Sequence, residues 1–151
     1  MATTGETPNP IQPVPTTTRF PKLTGDKSYV LTSDPSEDYN CFAFAAGMTN
    51  KWWGGIYYWP HGVPIDESVR GTIRLYEHFG FQCCESPDLE DGFVKIALHA
   101  RGDDVEHAAR QLPDGRWTSK LGPDEDIAHA LDSLEGDFYG KVVQFMKKPI
   151  T

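Results

Sequence analysis

Cysteine is scarce in this chain, with three among 151 residues. They are Cys41, Cys83 and Cys84, and an odd number that includes one adjacent pair makes no disulfide framework. The ligand spacing of a zinc site is missing too, so no metal and no cofactor is expected, and a reducing compartment is the natural home. Long apolar runs are also lacking. No stretch approaches the ~18 residues of a membrane span, and the N-terminus has no basic start followed by an apolar core. Neither a membrane span nor a secretory signal is therefore expected, which points to the cytoplasm, although export by a route without such a signal stays open. Basic residues are the minority, with 14 Lys and Arg against 22 Asp and Glu, for a formal charge of −8. An anionic surface opposes a phosphate backbone, so nucleic acid is excluded as the natural partner. No internal repeat is apparent, and oligomeric state is not readable.

Proline, by contrast, is plentiful at one end. Pro8, Pro10, Pro13, Pro15 and Pro21 stand among Thr, Gly and Asn with few large apolar groups. Such a stretch cannot bury enough surface to offset its chain entropy. A flexible arm is expected over 1–23, mobile to about Arg19, with one domain over 24–151. The length suits a single core and is too short for two comfortable ones.

Hydrophobic periodicity sets the expected elements. Tyr29-Val30-Leu31 reads as a short strand, and Asn40 as the N-cap of a short apolar helix that begins at Cys41. Asp66 caps a second helix, about Glu67 to Phe79, which Gly80 ends. Phe81 to Cys84 and Phe93 to Ala100 read as strands, and Asp114-Gly115 as a hairpin turn between the strand from His107 and the strand of Trp117 and Ser119. Pro123 and the acids after it open a third helix with Ile127, Ala130, Leu131 and Leu134 on one face, and a last strand runs from about Tyr139 to Met146. The sum is an α+β fold.

Two of these elements carry chemistry. A cysteine in the first turn of a helix lies beside unpaired amides and the positive end of the helix dipole, where a thiolate is easiest to form. His107 can serve it as base, and a polar group on the paired strand can orient the ring. This order of Cys41 on a helix, His107 on a strand and Ser119 on the next resembles the papain-like cysteine peptidases, and most of all their compact bacterial branch of cell-wall endopeptidases and amidases. The NCxAxA and HAARQLxDGxWxSKLG motifs also resemble those of an uncharacterised bacterial family. The resemblance covers roughly residues 38 to 145. It implies a papain-like fold, with the nucleophile helix packed on a small antiparallel sheet. It also implies catalytic roles for Cys41, His107 and Ser119, the last standing where the peptidases usually have His, Asn or Asp.

Amides at the start of the Cys41 helix, with Asn40 or Tyr39, are candidate oxyanion stabilisers. Trp52, Trp53, Tyr58 and Trp59, in a loop bounded by glycine and proline, are candidate substrate contacts together with Trp117; their alternative role is to cover the core. Cys83 and Cys84 alternate across a strand and are not nucleophile candidates. His129 is expected on a solvated helix face, and His61, His78 and His99 show no partner pattern. Three functions follow from different classes. The first is a thiol-dependent amide hydrolase or acyl transferase acting on a peptide or other amide-containing substrate. The second is a papain-like scaffold without turnover that serves as a binding module. The third is an antibacterial or host-directed effector that deamidates or crosslinks a protein.

Overall fold

Strands fill most of the second half of the chain, and the architecture follows from their pairing. The computed structural model describes residues 15–150. In chain order the elements are α1 (Thr16–Arg19), a 3₁₀ turn (Pro21–Gly25), β1 (Val30–Ser33), α2 (Cys41–Ala45), α3 (Val69–His78), β2 (Gln82–Cys84), β3 (Phe93–Arg101), β4 (Asp104–Gln111), β5 (Trp117–Lys120), β6 (Asp126–His129), a second 3₁₀ turn (Leu131–Leu134) and β7 (Lys141–Pro149). All the strands join one antiparallel sheet in the order β1-β6-β5-β4-β3-β7-β2. The Asp114-Gly115 hairpin forms as its chemistry dictates. Gly115 takes a positive φ of 93°, the Leu112 amide donates to the Arg116 carbonyl at 2.7 Å, and Gln111 pairs with Trp117.

The α+β, papain-like expectation is overturned by this arrangement. The described chain is mostly a seven-stranded antiparallel sheet with a few short helices, closer to all-β than to a nucleophile helix packed on a small sheet. The helix that starts at Cys41 is five residues long, and the longest helix has ten. The expected third helix is absent: Asp126–His129 is strand β6, and Leu131–Leu134 is a 3₁₀ turn. The helical spacing of Ile127 and Leu134 is met without a helix, because a strand and the turn after it deliver both side chains to the same cluster. All four residues of β5 and of β6 are buried, so these strands lack the polar-out alternation that marks a half-buried strand. The cap of α3 is Ser68, whose Oγ accepts the Gly71 amide at 3.1 Å, while Asp66 accepts the Ser68 amide one turn earlier.

Alternation divides the core between the two faces of the sheet. On one face Ile96, Leu98, Ala108 and Met146 pack against Ala43 and Ala45 of α2 and Leu75 and Tyr76 of α3. The other face carries Ala97, Ala109 and Trp117, and beside them Ile127, Leu121 and Leu134 close on Phe20 and Leu23. Of the arm expected over 1–23, residues 1–14 lie outside the described residues. From Pro15 onward the chain is docked: Phe20 and Leu23 are buried, and Arg19 pairs with Asp124 at 3.1 Å.

Candidate active site

Asn40 fixes the start of α2 with both ends of its side-chain amide. Its Oδ1 accepts the Ala43 amide at 3.3 Å and the Trp53 amide at 3.1 Å, and its Nδ2 donates to the Trp53 carbonyl at 2.8 Å. The other end of the helix is tied to β4 by Arg110, whose Nη1 donates to the Ala45 carbonyl at 2.8 Å. Cys41 is held between these anchors with 5% of its surface exposed. Burial pushes its thiol up to about 12, against the opposing pull of the Ala108, Phe42 and Cys41 amides and the positive charge of Lys120. A helix of barely more than one turn has little dipole to set against that desolvation, so the thiolate expected from the sequence is not the resting form.

Ala108 follows His107 on β4, so the amide that reaches the thiol belongs to the residue beside the candidate base. The ladder between β4 and β5 ends after two pairs, Gln111 with Trp117 and Arg110 with Thr118. Beyond it the two strands communicate through side chains. His107 Nε2 lies 2.8 Å from Ser119 Oγ, which in turn lies 2.7 Å from His129 Nε2. The row ends where His129 Nδ1 meets the Ala130 carbonyl at 2.8 Å. Tyr139 stacks flat on the His107 ring, with centroids 4.2 Å apart and planes within 5°, and His99 approaches it edge-on at 5.2 Å.

All three histidines and Ser119 are fully buried. Burial, with the neighbouring charges of His99 and His129 if these protonate, holds His107 well below the ordinary imidazole range. Burial brings His99 down to about 3 and His129 to about 4. The resting site is therefore a neutral thiol with neutral imidazoles. Among the described residues His107 Nδ1 has no hydrogen-bond partner, and neither ring nitrogen of His99 has one. The thiol thus makes no hydrogen bond to the ring in this arrangement.

The structure brings His107 and Ser119 together, Cys41 meets β4 through the Ala108 amide, and two further residues join them. His129, expected on a solvated face, is buried against Ser119. Lys120 is buried with its Nζ donating to the Ser36 carbonyl at 2.7 Å, and it supplies the cation whose charge reaches the thiol. The only signal for His129 was its position two residues past Ile127 on a strand, which the helix-like spacing concealed.

The remaining candidates are dispersed. Tyr39 donates its hydroxyl to Asp126 at 2.8 Å, which occupies its one proton, while Asn40 gives one of its two amide hydrogens to the Trp53 carbonyl. Trp53 is core, stacked on Phe79 at 4.7 Å and near Tyr58 at 5.8 Å. Trp52 donates to the Glu37 carbonyl at 2.6 Å and Trp59 to the Pro64 carbonyl at 3.0 Å. Trp117 is buried on the opposite face near Phe145. A small cavity beside Phe42, Trp53 and Trp59 does not include Cys41 or His107 in its lining. Among the described residues no group of His, Cys, Asp and Glu could hold a metal ion, and no helix is long and apolar enough to cross a membrane.

Comparison with curated proteins and with solved structures finds no match to this chain. One family model does match, over residues 30–147, a span that includes Cys41, His107, Ser119 and His129. The chain belongs to that family, described as a domain of unknown function, DUF7689.

Proposed function

We propose that this protein is a thiol-dependent acyl-transfer enzyme acting on an amide, with Cys41 as nucleophile, His107 as base and Ser119 as the group that holds the ring. The observation that carries this reading is the division of labour on His107. Its Nε2 is tied to Ser119 while Nδ1 has no partner, on a strand whose next amide reaches the thiol.

In the reaction the Cys41 thiol gives its proton to His107 Nδ1 as sulfur bonds to the amide carbon. The tetrahedral adduct collapses, the carbon–nitrogen bond breaks, and His107 returns the proton to the departing amine. The thioester is released by water in hydrolysis or by a second amine in transfer. Because both groups rest neutral, proton transfer accompanies sulfur attack rather than preceding it. The charge of Lys120 favours the anionic sulfur along the way. Backbone amides at the start of α2 are the remaining oxyanion candidates. Substrates are peptides or side-chain amides, and a crosslinking or deamidating effector would run the same steps on a protein side chain.

A second reading, a scaffold without turnover that binds a partner, is favoured by the burial of the thiol and its rise to about 12. Alkylation separates the two at neutral pH. The enzyme reading expects Cys41 to react with iodoacetamide faster than the exposed Cys83 and to slow sharply in His107→Gln. The scaffold reading expects Cys41 to be slower than Cys83 and indifferent to His107.

A further inference from the structure

We infer that His129 is a positioning residue that keeps the proton of His107 on Nε2, acting through the Ser119 hydroxyl, and so leaves the Nδ1 lone pair bare. The geometry of the buried row carries this. Its catalytic meaning rests on the acyl-transfer reading above; its chemistry does not.

The direction of each hydrogen bond follows from the one at the end. The Ala130 carbonyl can only accept, so the His129 Nδ1 beside it at 2.8 Å carries hydrogen. His129 is enclosed and neutral, so its Nε2 is then a bare acceptor. The one proton of the Ser119 hydroxyl is drawn to that acceptor at 2.7 Å. Having donated there, Oγ meets His107 Nε2 at 2.8 Å as an acceptor, and His107 must supply the hydrogen. A neutral His107 with hydrogen on Nε2 has its lone pair on Nδ1, the nitrogen without a partner among the described residues. The carbonyl that begins the row is itself anchored. It also accepts the Ser133 amide at 3.1 Å, and the Ala130 amide and the Ser133 hydroxyl both donate to Asp26 Oδ2, at 2.8 and 2.7 Å, which fixes the chain on either side of it.

Without an acceptor at 129, nothing holds the Ser119 proton away from His107. The hydroxyl can then turn and donate to Nε2, moving the ring hydrogen to Nδ1 and occupying the lone pair that a base needs. Gln at 129 can offer Oε1 in place of Nε2, whereas Leu fills space without an acceptor.

The test is long-range ¹H–¹⁵N NMR of the histidine rings in the full chain at pH 7, with His107 assigned through His107→Gln. Wild type is expected to show His107 protonated on Nε2 with a bare Nδ1. His129→Gln should keep that form, while His129→Leu and Ser119→Ala should shift population to the other tautomer. Cys41 alkylation should fall a few-fold in His129→Leu, as in Ser119→Ala, and be largely retained in His129→Gln. Wild-type His107 protonated on Nδ1 overturns the inference even if no variant folds, as does an unchanged tautomer in a folded His129→Leu. A tautomer shift as expected with Cys41 alkylation unmoved upholds the row and defeats the acyl-transfer reading instead.

Discussion

Two stretches of the sheet are equally dry and chemically different, the layer under α2 and α3 and the histidine row on the reverse side of β3 and β4. Under α2 and α3, β3 and β4 present Ile96, Leu98 and Ala108, side chains whose burial stabilises the fold and asks for nothing in return. Turned the other way, the same two strands present His99 and His107, which are just as buried and leave three ring nitrogens without a partner among the described residues. An unsatisfied buried polar atom costs roughly 1–3 kcal/mol, so packing alone would have placed apolar residues there. The apolar layer is therefore explained by stability, and the histidine row is held against it.

The largest effect should come from the apolar face. Trp53→Ala is expected to cost about 3–5 kcal/mol in urea unfolding, as for other large buried aromatics. Trp53→Phe, which keeps a ring against Phe79 and drops an indole N–H that has no partner among the described residues, should lose much less. A small loss in Trp53→Ala would restore that side chain as a surface contact.

The polar face should show itself in acid. His99 and His129 have folded-state values of about 3 and about 4, below the unfolded value of 6.5, so the unfolded chain binds more protons throughout the interval between. Stability should fall as pH drops from about 6.5 toward 4, with a slope approaching ~1.4 kcal/mol per pH unit for each histidine. His99→Leu removes a buried ring that has no hydrogen bond, so it should flatten the acid slope by about one histidine's share while leaving or improving stability at neutral pH. An unchanged slope would mean that His99 is not enclosed as described.

The smallest effect expected is on rate. Ser119→Ala removes one neutral hydrogen bond to His107, and Cys41 alkylation should slow only a few-fold, equivalent to about 1 kcal/mol. A loss of several orders of magnitude would mean that Ser119 acts in the chemistry rather than behind the base.

Much of the site was legible because it rests on local signals. Asn40 before Cys41 is a cap with a side-chain acceptor, and the Asp114-Gly115 turn sets a register that puts Ser119 on the same face as His107, one diagonal step away. The fold class was not, because β6 is covered on both faces and its residues carry no alternation to read. The same reason hid His129, since Ile127, Ala130, Leu131 and Leu134 have helical spacing in a segment that is a strand followed by a 3₁₀ turn. The fate of the thiol was also beyond the sequence. A helix start favours a thiolate only where water or charge offsets desolvation, and the depth at which Cys41 is enclosed is a property of the whole sheet.

The most direct test of the central claim, that His107 activates Cys41, is the iodoacetamide rate of each cysteine at pH 7, resolved by peptide mass spectrometry in wild type and in folded His107→Gln. Cys41 is predicted to outpace the exposed Cys83 despite its burial, and to slow at least about tenfold when His107 is replaced, with Cys83 unaffected. A Cys41 that reacts more slowly than Cys83, at the same rate with and without His107, would contradict it.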